Sequence, residues 1–207
     1  QFTQLIARRL RELNVYCEIH PYNKISPDFV KSIKPLGIIL SGGPASVLEK
    51  NSPKIPLEIY YLNIPIFGIC YGQQVMMYQL GGKIKRSKYS AEFGRADITK
   101  TNKDINILKG WFQNGFEQVW MSHGDQVSAI PKQFNIYGIS PNTPYAIIAD
   151  PKKHLFAVQF HPEVYHTPNG TKLLKNFLTI CGFSMNWTMG SYKKNAIKKI
   201  QGEVGLE

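Results

Sequence analysis

The stretch "PIFGICYGQQVMMYQLGG", Pro65 to Gly82, decides the fold. An apolar run of strand character stops at Cys70, and an amphipathic helix is expected to begin at Tyr71. Gly68 and Gly72 stand two places before and two places after the thiol. They give the backbone room for a sharp strand-to-helix elbow, the mechanical logic of the G-x-S-x-G nucleophile turn. A cysteine there lies at the carboxyl end of a parallel strand, where open α/β sheets place their sites. The positive end of the helix dipole favours a thiolate at such a position. The Tyr71 N–H points at any oxyanion formed by attack of Cys70. A free cysteine is more often a small buried hydrophobe, which accounts for Cys17 and Cys181 but leaves the glycines around Cys70 unexplained.

The chain on either side of this elbow alternates strand and helix. Thr3 is expected to cap a helix through "TQLIARRLRELN", with Leu5, Ile6, Leu10 and Leu13 at helical spacing. "VYCEI" alternates Val15, Cys17 and Ile19 like a strand, and Ser26 before Pro27 opens a second short helix. "GIILSGGP" reads as a buried strand ending in a glycine loop, and a helix is expected around "LEIYYLN". Beyond Gly82 come the short strands "RADITK", "QVWMSH", "IYGIS", "YAIIAD" and "HLFAVQF", which suggest a more antiparallel extension, closed by the helix "GTKLLKNFLTIC". The expected fold is therefore α/β, an open mixed, largely parallel sheet flanked by helices. A doubly wound sheet normally opens with a strand, so one strand is expected to be missing ahead of Gln1. Residues 1–190 are read as one domain, and 191–207, with the basic run "YKKNAIKKI", as a linker helix.

A thiolate nucleophile needs a base, and of the five histidines His161 stands out. It follows the apolar strand "LFAVQF" and opens "HPE". Pro162 keeps His161 extended, and in an extended segment residues two apart point the same way. The Glu163 carboxylate can thus lie beside the His161 ring, hold its tautomer and stabilise the imidazolium. A second oxyanion donor should come from a neighbouring strand end, and "SGGP", Ser41 to Pro44, offers adjacent glycines whose backbone can approach a ligand closely. No G-x-x-x-x-G-K-[ST] phosphate loop is present.

Composition narrows the class. With 207 residues, 43% of them hydrophobic, there is material for one sizeable core. Three scattered cysteines make neither a disulfide framework nor a metal finger, which fits a reducing, cytoplasmic setting and no metal site. No apolar run reaches the roughly 20 residues of a membrane span. The net charge of +11 is lysine spread along the chain, without aromatic-interleaved basic motifs, which argues against nucleic acid as a partner.

With "SGGP", "GICYGQQ" and "VQFHPE" in that order, the sequence resembles the class I, or triad, glutamine amidotransferases. Within that family "YCE", "MSHGDQV" and "HPEVYHT" are similar to the amidotransferase domains of glutamine-hydrolysing GMP synthases. The resemblance implies hydrolysis of glutamine to glutamate and ammonia, with Cys70, His161 and Glu163 as the triad and the Gly43 and Tyr71 N–H groups as oxyanion hole. It further implies that Gln74 and Asp125 bind the substrate, Asp125 being suited to the α-ammonium. No cofactor is implied for this domain. ATP and magnesium are implied for an ATP-pyrophosphatase (synthetase) domain that aminates XMP in the same polypeptide. His166 and Thr167 are candidates either for the interface with that domain or for capping the helix that follows. Gln73 departs from the family pattern, standing where many relatives carry an apolar residue. Other members, feeding anthranilate, carbamoyl phosphate or CTP synthesis, a γ-glutamyl cysteine hydrolase, and a non-catalytic module remain as alternatives.

Overall fold

The computed structural model describes residues 2–86, 91–190 and 201. Two helices, α1 (Phe2–Glu12) and α2 (Pro27–Ile33), precede strands β1 (Ile38–Leu40) and β2 (Ile66–Ile69), and β2 runs directly into α3 (Tyr71–Gln79). There follow β3 (Lys83–Arg86), β4 (Glu92–Lys100), β5 (Phe116–His123), β6 (Asp125–Ala129), β7 (Asn135–Ile139), β8 (Ile147–Asp150), β9 (Leu155–Val158) and α4 (Gly170–Ile180). The main sheet has the order β1-β2-β9-β8-β7-β4-β5, and β3 with β6 forms a small antiparallel pair beside it.

The open mixed α/β sheet expected from the sequence forms, though its parallel part is smaller than a largely parallel sheet would have, two of its six junctions. Its parallel part, β1, β2 and β9, carries the elbow. Every junction from β9 outward to β5 is antiparallel, as the strand-rich second half of the sequence suggests.

β2 shows why an unbroken apolar strand sits in the middle. Phe67 and Ile69 point into a core shared with Ile6 and Leu10 of α1 and Phe177 of α4, whereas Ile66 points into a second core with Met76 and Met77 of α3. Both faces of the strand are thus dry, and a polar residue on either would have no partner. Gly68 lies on the α3 face, and a Cβ there would stand 2.7 Å from the Gly72 carbonyl oxygen. At Gly72 a Cβ would come 2.0 Å from the Leu40 carbonyl oxygen, so the first turn of α3 rests directly on the backbone of β1. Gly72→Ala is therefore expected to push α3 off β1, costing about 3 kcal/mol or more in thermal or urea unfolding, and to lower activity along with stability.

Several local expectations are corrected. α3 is not amphipathic: Tyr71 through Met77 are all buried, because the helix is enclosed by β1, β2, β6 and β9. Thr3 lies inside α1 and does not cap it; its hydroxyl is hydrogen-bonded to that of Ser41 at 2.9 Å. Val15 to His20 forms no strand and has no ladder partner among the described residues, and of its residues only Val15 is buried. A largely apolar cavity of about 830 Å³ lies between this segment, α1, α2 and β1. "LEIYY" is a 3₁₀ turn, Leu57–Tyr61. The second helix starts as expected, with Ser26 Oγ accepting from the Phe29 N–H at 3.1 Å and Pro27 at its first position. The linker helix expected within 191–207 falls, apart from residue 201, outside the described residues.

Candidate active site

Cys70 has φ 52° and ψ −105°, a conformation that side chains rarely adopt and that the surrounding packing must hold. Its own N–H donates to the Val158 carbonyl at 2.8 Å, and its carbonyl accepts the Gln74 N–H, so β9 and α3 clamp the elbow from both sides. Tyr71 occupies the first position of α3, where a backbone N–H has no partner within the helix.

β9 continues past its last paired residue and brings the second group. The His161 N–H donates to the Trp120 carbonyl at 3.0 Å, tying the loop to β5. His161 Nδ1 and Glu163 Oε1 are 2.8 Å apart, and both residues are essentially excluded from solvent, at 1% and 0% exposure. A carboxylate can only accept, so Nδ1 carries the proton and Nε2 is left for the sulfur. The carbonyl of Glu163 accepts from Arg9 Nε at 3.0 Å, and the Phe2 ring stacks on the imidazole with centroids 4.5 Å apart. Burial alone would lower the His161 pKa; hydrogen bonds to Cys70 and then to Glu163, with the attraction of both charges, outweigh it and raise it to about 10. The imidazolium is thus the favoured form at neutral pH.

That shift carries a stability prediction. A folded pKa above the unfolded value of about 6.5 means the stabilisation is complete below pH 6.5 and is lost as pH rises toward 10. The melting temperature of the native chain should accordingly fall by several degrees more between pH 7 and 10 than that of His161→Asn.

Gly42 lies against both side chains: a Cβ on it would stand 2.9 Å from His161 Cε1 and 3.6 Å from Cys70 Cβ. At Gly43 a Cβ would meet nothing within 4 Å, which leaves its backbone open on that side. The expected glutamine-binding pair also meets. Gln74, one turn into α3, donates from Nε2 to the backbone carbonyl of Asp125 at 2.7 Å. The Asp125 carboxylate is buried and engaged on both oxygens, by the Ser46 hydroxyl on Oδ2 and by Arg86 Nε at 2.9 Å on Oδ1. An α-ammonium reaching it would have to share these oxygens.

Thr167 and His166 do not act together. Thr167 is buried, donates to the His161 carbonyl at 2.7 Å and accepts the Trp120 N–H at 3.0 Å, so it braces the loop that carries His161 and is neither a surface residue nor a helix cap. His166 is exposed, its ring tilted against that of Trp120 with centroids 4.5 Å apart. Gln73 is fully buried and donates to the Tyr145 carbonyl at 2.8 Å, while its Oε1 has no partner among the described residues. His123 is buried too, with Nε2 3.6 Å from Glu92 Oε2, an ion-pair distance longer than a hydrogen bond. Sequence reading missed Ser46, Arg86, Phe2 and, most tellingly, Gln159, whose Nε2 donates to Cys70 Sγ at 3.7 Å.

A strained cysteine at a strand-to-helix elbow, facing a buried histidine and carboxylate, agrees with comparison to known families. Residues 1–181 match the model of the glutamine amidotransferase class-I family, and the chain belongs to that family. Its relatives narrow the likeness. It is 57% identical over 205 residues to a protein of Cereibacter sphaeroides named GMP synthase (glutamine-hydrolysing), 57% to one from Ruegeria and 50% to one from Bartonella quintana, each over 99% of the chain. The chain spans about 40% of the length of these relatives. Among solved structures, a protein of Thermoplasma acidophilum, provisionally assigned as one component of a GMP synthase, superposes with TM-score 0.76 at 30% identity, covering 96% of this chain and 92% of that one. A glutamine amidotransferase from Thermotoga maritima, at 21% identity and TM-score 0.62, shares the fold over 94% of this chain and 78% of that one.

Proposed function

We propose that this chain is the glutaminase portion of a GMP synthase, and that Cys70, His161 and Glu163 carry its chemistry. The observation that supports this most is the elbow itself: a thiol held at positive φ, hydrogen-bonded within a site that also holds a buried, carboxylate-paired histidine. In this reading the Cys70 thiolate attacks the side-chain amide carbon of glutamine. The negative charge that develops on the amide oxygen is met by the N–H groups of Tyr71 and Gly43. The His161 imidazolium gives its proton to the departing ammonia, leaving a glutamyl thioester on Cys70. Neutral His161 then takes a proton from water as that water attacks the thioester, and glutamate leaves with the thiolate restored. Glu163 holds the ring and balances its charge throughout. Gln74 and Asp125 orient the amino acid end of the substrate, Arg86 and Ser46 fixing the Asp125 carboxylate in place.

In the longer protein the ammonia passes to a synthetase domain in the same polypeptide, which uses ATP and magnesium to aminate XMP in the cytoplasm. Among the described residues no helix is long and apolar enough to cross a membrane. The test is transfer: with a purified XMP-aminating synthetase portion, glutamine and this chain together should yield GMP. GMP formed only from added ammonium, with glutamine supporting anthranilate, carbamoyl phosphate or CTP synthesis instead, would reassign the chain within its family.

A further inference from the structure

The nucleophile has a polar neighbour that the triad does not use. Gln159 is fully buried in the bend that leads from the end of β9 to His161. Its Nε2 donates to Cys70 Sγ at 3.7 Å, and its Oε1 accepts from Gln74 Nε2 at 3.4 Å. Gln74 in turn donates to the Asp125 carbonyl. One amide therefore bridges the sulfur and the residues that orient the substrate.

We propose that Gln159 is a further catalytic residue, whose side-chain N–H stabilises the Cys70 thiolate and whose oxygen fixes Gln74 in register with it. The proposal rests on Cys70 being the nucleophile. A hydrogen bond to a charged acceptor is stronger than one to a neutral one, so the N–H of Gln159 binds the thiolate in preference to the thiol. The competing contact favours the thiol: Sγ also lies 3.6 Å from the Ser122 carbonyl oxygen, which can only accept and so attracts S–H but repels S⁻. Gln159 offsets that carbonyl. The titratable groups near the sulfur are His161 and, behind it, Glu163; Asp125 meets Gln74 through its backbone, not its carboxylate. Anchoring the amide by its oxygen matters as well, since a free amide could turn its own oxygen toward the sulfur. Gln74 donates to that oxygen and thereby sets the orientation.

The test reads the sulfur directly and does not depend on glutamine turnover. Alkylation of Cys70 by iodoacetamide, followed peptide by peptide, is measured against pH in the native chain, Gln159→Met and Gln159→Glu. Cys181 does not confuse the reading, because burial pushes its thiol up to about 12, and Cys17 is raised by burial too. On the rising limb of its profile Gln159→Met should label roughly tenfold more slowly, the loss of one hydrogen bond to a charged group, the profile moving to higher pH with the plateau rate unchanged. Gln159→Glu, which keeps an acceptor for Gln74 but sets a negative charge beside the sulfur, should move further in the same direction. Folded variants with profiles superposable on the native one, or with an altered plateau and no movement, would overturn the proposal. Should neither variant fold, the native chain still decides: with ¹⁵N-glutamine labelling, the Gln159 side-chain amide resonance should titrate at the same pH as Cys70 alkylation and cease to do so in Cys70→Ala. An amide resonance indifferent to the thiol would likewise overturn it. If Cys70 alkylates normally but glutamine is not hydrolysed, the functional reading fails and the Gln159 result stands by itself.

Discussion

Cys70→Ala should abolish ammonia release from glutamine, a loss of about 10⁴-fold or more, with the fold intact. The expectation follows from what else the site can do without the sulfur. His161 is held as an imidazolium in part by its bond to Cys70, and removing the sulfur leaves a ring whose remaining support is Glu163. Such a ring is a poor general base for a water attacking an unactivated amide, so no alternative route of comparable rate is available. Stability should move little by comparison, because alanine fits the volume and the elbow is clamped through backbone bonds to Val158 and Gln74 that the substitution leaves in place. Alanine carries the same Cβ penalty at φ 52° as cysteine. Ammonia assays beside thermal melts separate the two effects. Undiminished release by Cys70→Ala would remove the thiol from the chemistry.

The second large effect is at His161. His161→Ala removes the proton donor for the leaving ammonia and the counter-charge for the thiolate, and should cost about 10³- to 10⁴-fold in kcat. It should also slow alkylation of Cys70 at neutral pH, which a purely structural defect distributed over the loop would not single out. Glu163→Gln is expected to be milder, by about tenfold or more, because the amide oxygen can still accept from Nδ1. Its residual cost is the loss of a negative charge behind the imidazolium, and the pH window in which His161 stays protonated should narrow from the alkaline side. The three rates together, in one steady-state comparison, test the division of roles: Cys70→Ala lowest, His161→Ala next, Glu163→Gln above both. Glu163→Gln as damaging as His161→Ala would mean that the carboxylate does more than orient and stabilise the ring.

Much of this site was legible in the sequence because its parts have local signatures. Gly68 and Gly72 announce a backbone with no room for a Cβ, and the structure supplies the obstacles, the Gly72 and Leu40 carbonyls. An extended backbone and a spacing of two pair His161 with Glu163 in the sequence; the pair forms, but Pro162 and Glu163 lie in a turn, and it is within this turn that the carboxylate meets Nδ1. Gln159 also stands two residues from His161, but it lies in a bend past the end of β9, so spacing alone does not place its amide on the sulfur. Ser46, Arg86 and Phe2 could not be found from spacing either, because each reaches the site across a long loop of chain, and such contacts leave no periodic trace.

The misread elements have a common cause. Alternation in "VYCEI" and helical spacing in α3 describe which side chains tend to be apolar, not what lies opposite them. Val15 to His20 has no strand to pair with among the described residues, and α3 is buried all round from Tyr71 to Met77, so neither pattern found the partner it assumed. Thr167 shows the same limit in reverse. Next to an exposed histidine it looks like surface, yet its hydroxyl is buried between the His161 carbonyl and the Trp120 N–H, where it helps fix the position of the His161 backbone.

The central claim, that glutamine is cleaved through a covalent bond to Cys70, is met most directly by mass. The full-length enzyme, supplied with XMP, ATP, magnesium and glutamine so that any gating by the synthetase portion is relieved, would be quenched in acid during turnover and its peptides weighed. One glutamyl group on the Cys70 peptide, absent from Cys70→Ala, is the predicted result. Continued ammonia production with that peptide unmodified and Cys70→Ala still turning over would contradict it.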